Sequence, residues 1–135
     1  MEIINIAHDI RVIYKEAASF PEGVLAAHQQ LHALIPFSKE RMYFGISRPE
    51  NGLIMYKAAA EEMYAGEAEA LQCKSFVFKK GRYVSLTVND FMKDLQGINN
   101  VFKQLLYSPD IDPEGYCIEW YFNDADVRCM IRLKE

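Results

Sequence analysis

The sequence predicts an α+β fold in which a strand-helix-strand-strand pattern occurs twice. Apolar residues recur at helical spacing in two separate segments, and segments rich in β-branched and aromatic residues stand before and after each of them. One helix is too little to cover the sheet of either half. We therefore expect one domain, residues 1–135, with pseudo-repeats at about 1–60 and 73–135 related by an approximate two-fold axis. The antiparallel sheet would carry both helices on one face.

The first half opens with a stretch from Ile3 to Tyr14 whose apolar residues share one parity around His8-Asp9, which predicts a strand. Ser19 and Glu22 have the spacing of a capping box, and apolar residues at helical spacing follow, so a helix is expected over about 20–35. Two short β-prone runs, about 42–47 and 53–58, flank the turn-like segment 48–52 and predict a hairpin.

The second half repeats this pattern after a segment, 59–72, whose conformation the sequence leaves open. Residues 73–88 predict two strands around Lys79-Lys80-Gly81, and Asn89 is placed to cap a helix that ends before Pro109. The five residues that predict this helix form a single stripe: Phe91, Leu95, Ile98, Phe102 and Leu105. Residues 116–122 and 127–133 predict a closing hairpin.

Composition and charge argue against several classes of function. The net charge of −4 argues against direct nucleic-acid binding, which needs a basic face. The three cysteines are widely spaced and indicate core residues of a reducing compartment. There is no signal-peptide pattern and no apolar run long enough to span a membrane, so a cytoplasmic protein that does not bind membranes is expected.

Glu119 lies in a β-prone run, residues 116–122, in which four aromatic rings surround one carboxylate. A carboxylate among packed rings is costly unless a cation or hydrogen-bond donor meets it, so the run is typical of a site for a flat or cationic organic ligand. Strand alternation also permits the other interpretation, in which Glu119 and Tyr121 face water while their neighbours fill the core. Both interpretations place Glu119 and Tyr121 on one face.

Other motifs give weaker indications. His28 and His32 stand one helical turn apart, as in a zinc protease helix, but a glutamine replaces the general base and no third ligand is evident, so structural or solvent-facing histidines are expected. The acidic segment 110–115 begins like a calcium loop but lacks the acidic twelfth residue. No phosphate-binding glycine motif occurs. We expect no metal and no cofactor.

Four short motifs in a fixed order resemble the GyrI-like small-molecule-binding superfamily, which includes the effector-binding domains of AraC-type and MerR-type transcription activators. The motifs stand at the following positions: Tyr43-Phe44-Gly45-Ile46, Tyr56, Lys80-Gly81-Arg82-Tyr83 and Ile118-Glu119-Trp120-Tyr121. The resemblance covers nearly the whole chain. It implies a cleft between the two modules for lipophilic, often cationic, aromatic compounds, with a Glu-x-Tyr motif in the cleft that falls on Glu119 and Tyr121.

The resemblance implies a stand-alone binding protein, because this sequence shows no helix-turn-helix segment. The ligand would meet Glu119 and a set of aromatic side chains: Tyr121, Trp120, Tyr56, Tyr83 and Phe44. Two alternatives follow from other members of the family. One is a hydrolase of electrophilic, cyclopropane-type compounds with Glu119 as the general base. The other is a protein regulator, such as a gyrase inhibitor, that binds through an exposed edge strand. The natural ligand and the oligomeric state are left open.

Overall fold

A computed structural model describes all 135 residues and contains eight strands and three α-helices. The first half holds β1 (Glu2–Ile6), β2 (Ile10–Glu16), α1 (Val24–Leu34), β3 (Tyr43–Glu50) and β4 (Leu53–Glu61). The second half holds α2 (Glu67–Ala70), β5 (Lys74–Phe78), β6 (Gly81–Val88), α3 (Leu95–Leu105), β7 (Cys117–Trp120) and β8 (Val127–Arg132). A single 3₁₀ turn, Phe91–Lys93, precedes α3.

All eight strands form one antiparallel sheet in the order β1-β6-β8-β7-β3-β4-β2-β5. The two halves of the chain meet in the middle, where β3 pairs with β7 and Gly45 lies opposite Glu119. At each end of the sheet, the edge strand pairs with a strand from the opposite half of the chain. Strand β1 of the first half pairs with β6, and β5 of the second half pairs with β2. The α+β class and the antiparallel sheet are therefore as the sequence predicts.

The sheet curls around one of its faces. The ring of Phe76, on the edge strand β5, lies 4.8 Å from the ring of Tyr116, which immediately precedes the central strand β7. Side chains from both edges fill the concave side, and the buried members of this cluster are Val12, Phe44, Ile46, Ala59, Phe78, Tyr83, Ile118 and Met130. Because the sheet covers this core with its own strands, no helix is needed there.

Both long helices pack on the convex face. Helix α1 buries Ala27 and Leu31 against β2, β3 and β4, and α3 buries Leu105 against β6 and β8. The two clusters stay separate, because the helices lie apart on the convex face. This arrangement leaves a cleft over β3, β4 and β7.

The first strand differs from its prediction. The stretch Ile3 to Tyr14 forms two strands, β1 and β2, with residues 7–9 between them, and these strands pair at opposite ends of the sheet. The shared parity of its apolar residues is nevertheless observed, since Ile4, Ile6, Ile10, Val12 and Tyr14 all pack in the concave cluster. Local periodicity correctly predicts which face of the sheet these side chains share. It does not reveal the break between β1 and β2, because that break depends on pairing with distant strands.

Both helices begin later than predicted. The segment before α1 forms turns, so the expected capping box of Ser19 and Glu22 is absent and Gly23 is the N-cap residue. Helix α3 is capped by Asp94 rather than Asn89, and the Asp94 carboxylate accepts a hydrogen bond from the backbone N–H of Gly97 at 3.1 Å. The segment 59–72, left open by the sequence, extends β4 to Glu61 and then forms α2.

No helix is long and apolar enough to cross a membrane. All three cysteines are free: Cys129 is buried, whereas Cys73 and Cys117 are partly buried. Burial raises the pKa of the Cys117 thiol to about 11 and that of Cys129 to about 12. Both groups are therefore neutral thiols at neutral pH, which makes them poor nucleophiles.

Candidate functional site

The cleft between α1 and α3 has a volume of about 1260 Å³ and is lined mainly by apolar side chains. Its walls carry large hydrophobic residues that are more than half exposed, among them Leu25 of α1, Phe37 after α1, and Met92 and Leu95 at the start of α3. Exposed apolar residues gathered around one concavity are typical of a ligand site. Its size suits an organic molecule of several rings.

Glu119 stands at the centre of the cleft floor because its neighbours across the sheet are small. Gly45 lies opposite it on β3 and Cys129 opposite it on β8, while Ala58 of β4 lies beyond Gly45. A Cβ atom on Gly45 would lie only 2.1 Å from the Tyr56 hydroxyl and 2.6 Å from Oε1 of Glu119. The missing side chain at residue 45 is therefore what lets the carboxylate and the phenol meet.

Two tyrosine hydroxyls and one imidazole form a network around the carboxylate. Tyr56 donates a hydrogen bond to Oε1 of Glu119 at 3.1 Å, and the Tyr121 hydroxyl donates to the same oxygen. The two hydroxyls are 3.3 Å apart, and Nε2 of His28 lies 2.8 Å from the Tyr56 hydroxyl. Both donors use Oε1, so Oε2 has no hydrogen bond from the protein and is not sealed from the cleft.

Burial governs the charges in this network. It raises the pKa of Glu119, and the hydrogen bonds from Tyr121 and Tyr56 oppose that rise. Burial and the adjacent carboxylate hold the pKa of Tyr56 and of Tyr121 well above 10. Burial, assisted by His32, lowers the pKa of His28 to about 4. At neutral pH the network therefore holds one carboxyl group with a free oxygen and three uncharged partners.

The structure brings three of the six sequence-predicted residues together: Glu119, Tyr121 and Tyr56 all line the cleft. Phe44, Tyr83 and Trp120 do not line it, because they lie on the concave face of the sheet and pack in its core. Tyr83 instead donates a hydrogen bond from its hydroxyl to the Lys79 carbonyl at 2.5 Å. Strand alternation separates Trp120 from Glu119 and Tyr121.

Sequence reasoning missed several cleft residues, of which His28 is the most important. Its edge contacts the rings of Tyr56 and Tyr121, with both centroid distances at 5.7 Å. Phe20 and Phe91 complete the aromatic wall, 5.9 Å from Tyr56 and 5.4 Å from Tyr121 respectively. Phe91 belongs to the apolar stripe of the second helix, a signal that indicates a packed face without separating core from cleft. His28 and Phe20 carry no comparable signal in the sequence. No cluster of three or more potential metal ligands includes His28.

The fold has counterparts among solved structures. An integron cassette protein from Vibrio cholerae aligns with a TM-score of 0.73 and 11% identity, over 98% of this chain and 95% of that one. SAV2435, solved bound to tetraphenylphosphonium, aligns with a TM-score of 0.68 and 9% identity, over 98% and 93%. A hydrolase from Listeria innocua aligns with a TM-score of 0.64 and 10% identity, over 98% and 90%.

No protein-family model matches the sequence, and no curated protein is similar to it in sequence. At 9–11% identity the structural matches establish a shared fold alone. One of these proteins holds a lipophilic cation on this fold.

Proposed function

We propose that this chain is a small-molecule-binding protein of the GyrI-like effector-binding type, which sequesters or senses lipophilic aromatic cations in the cleft between its two halves. The observation that carries the proposal is the free Oε2 of Glu119 at the floor of an apolar cleft of about 1260 Å³. A carboxylate oxygen without a partner favours a cation, and the rings of Tyr56, Tyr121, Phe20 and Phe91 favour a flat or bulky apolar body.

The strand order supports the two-module arrangement within this proposal. If each strand is exchanged with its counterpart in the other half (β1 with β5, β2 with β6, β3 with β7 and β4 with β8), the order β1-β6-β8-β7-β3-β4-β2-β5 becomes its own reverse. An approximate two-fold axis between β3 and β7 has this property. The axis would pass beside Gly45 and Glu119, which puts the ligand at the junction of the modules.

The charged residues that line the cleft favour a ligand with a single positive charge. Four basic residues, Lys39, Arg41, Arg48 and Lys103, line the cleft against only two acidic ones, Glu119 and Asp124. A monocation with delocalised or shielded charge meets Glu119 without strong repulsion from this rim. Compounds with two or more positive charges are expected to bind more weakly.

Replacing Glu119 by glutamine tests the proposal directly. The amide keeps the size of the side chain but removes the charge, so affinity for methyltriphenylphosphonium is expected to fall about tenfold, by about 1.4 kcal/mol. Isothermal titration calorimetry measures the change. Glu114→Gln is the matched control, because Glu114 is exposed and outside the cleft and its loss changes the net charge equally.

Two outcomes would contradict the proposal. The first is a wild-type protein that binds neither methyltriphenylphosphonium nor rhodamine 6G at millimolar concentration. The second is a Glu119→Gln variant whose affinity equals that of the Glu114→Gln control. Binding is best followed by calorimetry or by the emission of the dye, because Trp120 lies across the sheet from the cleft and its fluorescence does not report contact.

A second candidate function is hydrolysis of electrophilic cyclopropane-type compounds, which the raised pKa of Glu119 favours because it suits a general base. Oε2 of Glu119 would take a proton from water as the water oxygen bonds to a ring carbon. The ring bond breaks, and its electron pair moves to a conjugated carbonyl that solvent protonates. The fold shared with a hydrolase agrees with this candidate without establishing it.

Turnover separates hydrolysis from sequestration. Incubation with an excess of a cyclopropane-bearing alkylator is expected to yield many equivalents of a product 18 mass units heavier, detected by mass spectrometry, if the protein is a hydrolase. Glu119→Gln would abolish this product. One equivalent of protected, unchanged compound for each protein molecule would instead exclude catalysis and leave binding as the function.

A further inference from the structure

We propose that His28, acting through Tyr56, shifts the balance between the carboxylate and the carboxylic acid forms of Glu119, and so tunes the preference of the cleft between cationic and neutral ligands. The inference deepens the proposed binding function and rests on it. His28 is thereby a positioning residue, since it contacts Tyr56 and not the free oxygen of Glu119.

The Tyr56 hydroxyl has fewer protons than neighbouring acceptors. It has one proton but three neighbours able to accept it: Nε2 of His28 at 2.8 Å, Oε1 of Glu119 at 3.1 Å and the Tyr121 hydroxyl at 3.3 Å. The proton of Tyr121 goes to Oε1, so the shorter contacts to His28 and Glu119 are the two that compete. A neutral imidazole carries its proton on one nitrogen only, so Nε2 is either a donor or an acceptor. When Nε2 donates, the Tyr56 hydroxyl is free to donate to Glu119. When Nε2 accepts, the Tyr56 hydroxyl donates to His28.

Two arrangements of the network follow, one for each state of Nε2. In the first, Nε2–H of His28 donates to Tyr56, Tyr56 donates to Glu119, and Glu119 is ionised and accepts from both tyrosines. In the second, Nε2 accepts from Tyr56, so Glu119 loses one of its two donors and the uncharged acid, with its proton on the free Oε2, is favoured. The first arrangement offers a ligand a negative charge, and the second offers it an uncharged carboxyl group.

No charged side chain beside the network overrides the effect of His28 on Glu119. The titratable groups that face the network are the tyrosines Tyr56 and Tyr121, the thiols of Cys117 and Cys129 beside Glu119, and His32 on the same helix. Neither thiol is ionised at neutral pH, and Gly45 contributes no side chain. No cation of the protein pairs with Glu119, so hydrogen bonds and burial set its charge.

Two probes of similar shape distinguish the arrangements. Methyltriphenylphosphonium is a cation and requires the carboxylate, so its affinity should fall as the pH is lowered through the titration of Glu119. Triphenylphosphine oxide is neutral and accepts a hydrogen bond, so its affinity should rise over the same interval because the acid can donate to it. Calorimetry across pH gives one midpoint for each probe, and the two midpoints should coincide.

Replacing His28 by phenylalanine removes the donor to Tyr56 and keeps the ring. Tyr56 then stabilises the carboxylate less, because a hydroxyl that accepts a hydrogen bond is the better donor. Both midpoints are expected to move to higher pH together, by about half a unit. His28→Gln, whose amide can donate to Tyr56, should restore them. A purely structural role would lower both affinities at every pH and leave the midpoints unchanged.

The effect of His28 on the titration of Glu119 can also be measured without a ligand. The carboxyl ¹³C resonance of Glu119 gives its titration midpoint in the free protein, and His28→Phe should raise that midpoint whereas His28→Gln should not. An unchanged ¹³C midpoint in His28→Phe would overturn the role of His28 even if both probes bind. Failure of the wild type to bind either probe would overturn the proposed function, with the role of His28 in Glu119 titration still decided by the resonance.

Discussion

Replacing Arg41 by alanine is expected to destabilise the fold by about 3 kcal/mol, because it leaves a buried carboxylate without its partner. Two guanidinium nitrogens of Arg41 each lie 2.9 Å from one oxygen of Glu67, and the side chains are 14% and 8% exposed. Arg41 also donates to the Glu61 carbonyl, which ties the loop before β3 to the end of β4. Urea denaturation of wild type and variant measures the loss.

The loss should depend on pH in a defined direction. Arg41 holds the pKa of Glu67 below its ordinary value of 4.5, so the pair stabilises the fold fully above about pH 4.5. That stabilisation disappears as the pH falls through the lowered pKa, where protonation removes the charge of Glu67. The difference between wild type and Arg41→Ala is therefore largest at neutral pH and shrinks on acidification.

A double variant provides the control. Arg41→Met combined with Glu67→Leu removes both charges and fills the space, so it should be much more stable than Arg41→Ala. Equal losses in the single and double variants would show that the ion pair is not the cause. A single variant with wild-type stability at pH 7 would show that Glu67 is not buried as described.

Replacing Gly45 by alanine is expected to weaken the binding of methyltriphenylphosphonium by about tenfold or more and to destabilise the fold by about 1–3 kcal/mol. The new methyl group would lie 2.1 Å from the Tyr56 hydroxyl, so the phenol has to move. Tyr56 is only 1% exposed and packs against Phe20 and His28, which leaves its ring little room. Displacement of the hydroxyl breaks its hydrogen bond to Glu119. Calorimetry and urea denaturation measure the two effects.

Combining Gly45→Ala with Tyr56→Phe shows whether this contact is the cause. Removing the hydroxyl takes away the atom closest to the new methyl group, so the alanine should cost less stability in the phenylalanine background. Strict additivity of the two substitutions would contradict the proposed clash. Gly52→Ala is an unsuitable control despite its open surroundings, because the positive φ of Gly52, 82°, is itself strained for alanine.

The spacing of residues within short segments predicts many features of this structure. Residues two apart on a strand share a face in any fold, which is why the pairing of Glu119 with Tyr121 could be read from sequence. The same rule separates Tyr121 from Trp120, but it does not say which face carries the cleft. That depends on where the helices pack and on the curl of the sheet, which place Phe44, Tyr83 and Trp120 on the concave face, opposite the cleft.

Features that join distant residues are the ones sequence reasoning missed. His28 meets Tyr56 because α1 lies over β4, and no property of the segment 28–32 alone indicates a phenol 28 residues away. The need for glycine at residue 45 is likewise visible only in the folded structure, because a Cβ atom there would clash with Tyr56 of β4 and Glu119 of β7. The division of the first predicted strand follows from pairing of its two parts with different partners.

The exchanged edges of the sheet have a mechanical consequence. Strand β1 closes the end built by residues 81–132, and β5 closes the end built by residues 10–61, so each half holds the other by its outermost strand. Severing the chain between 62 and 66 would therefore leave two interlocked fragments that neither separate readily nor fold alone.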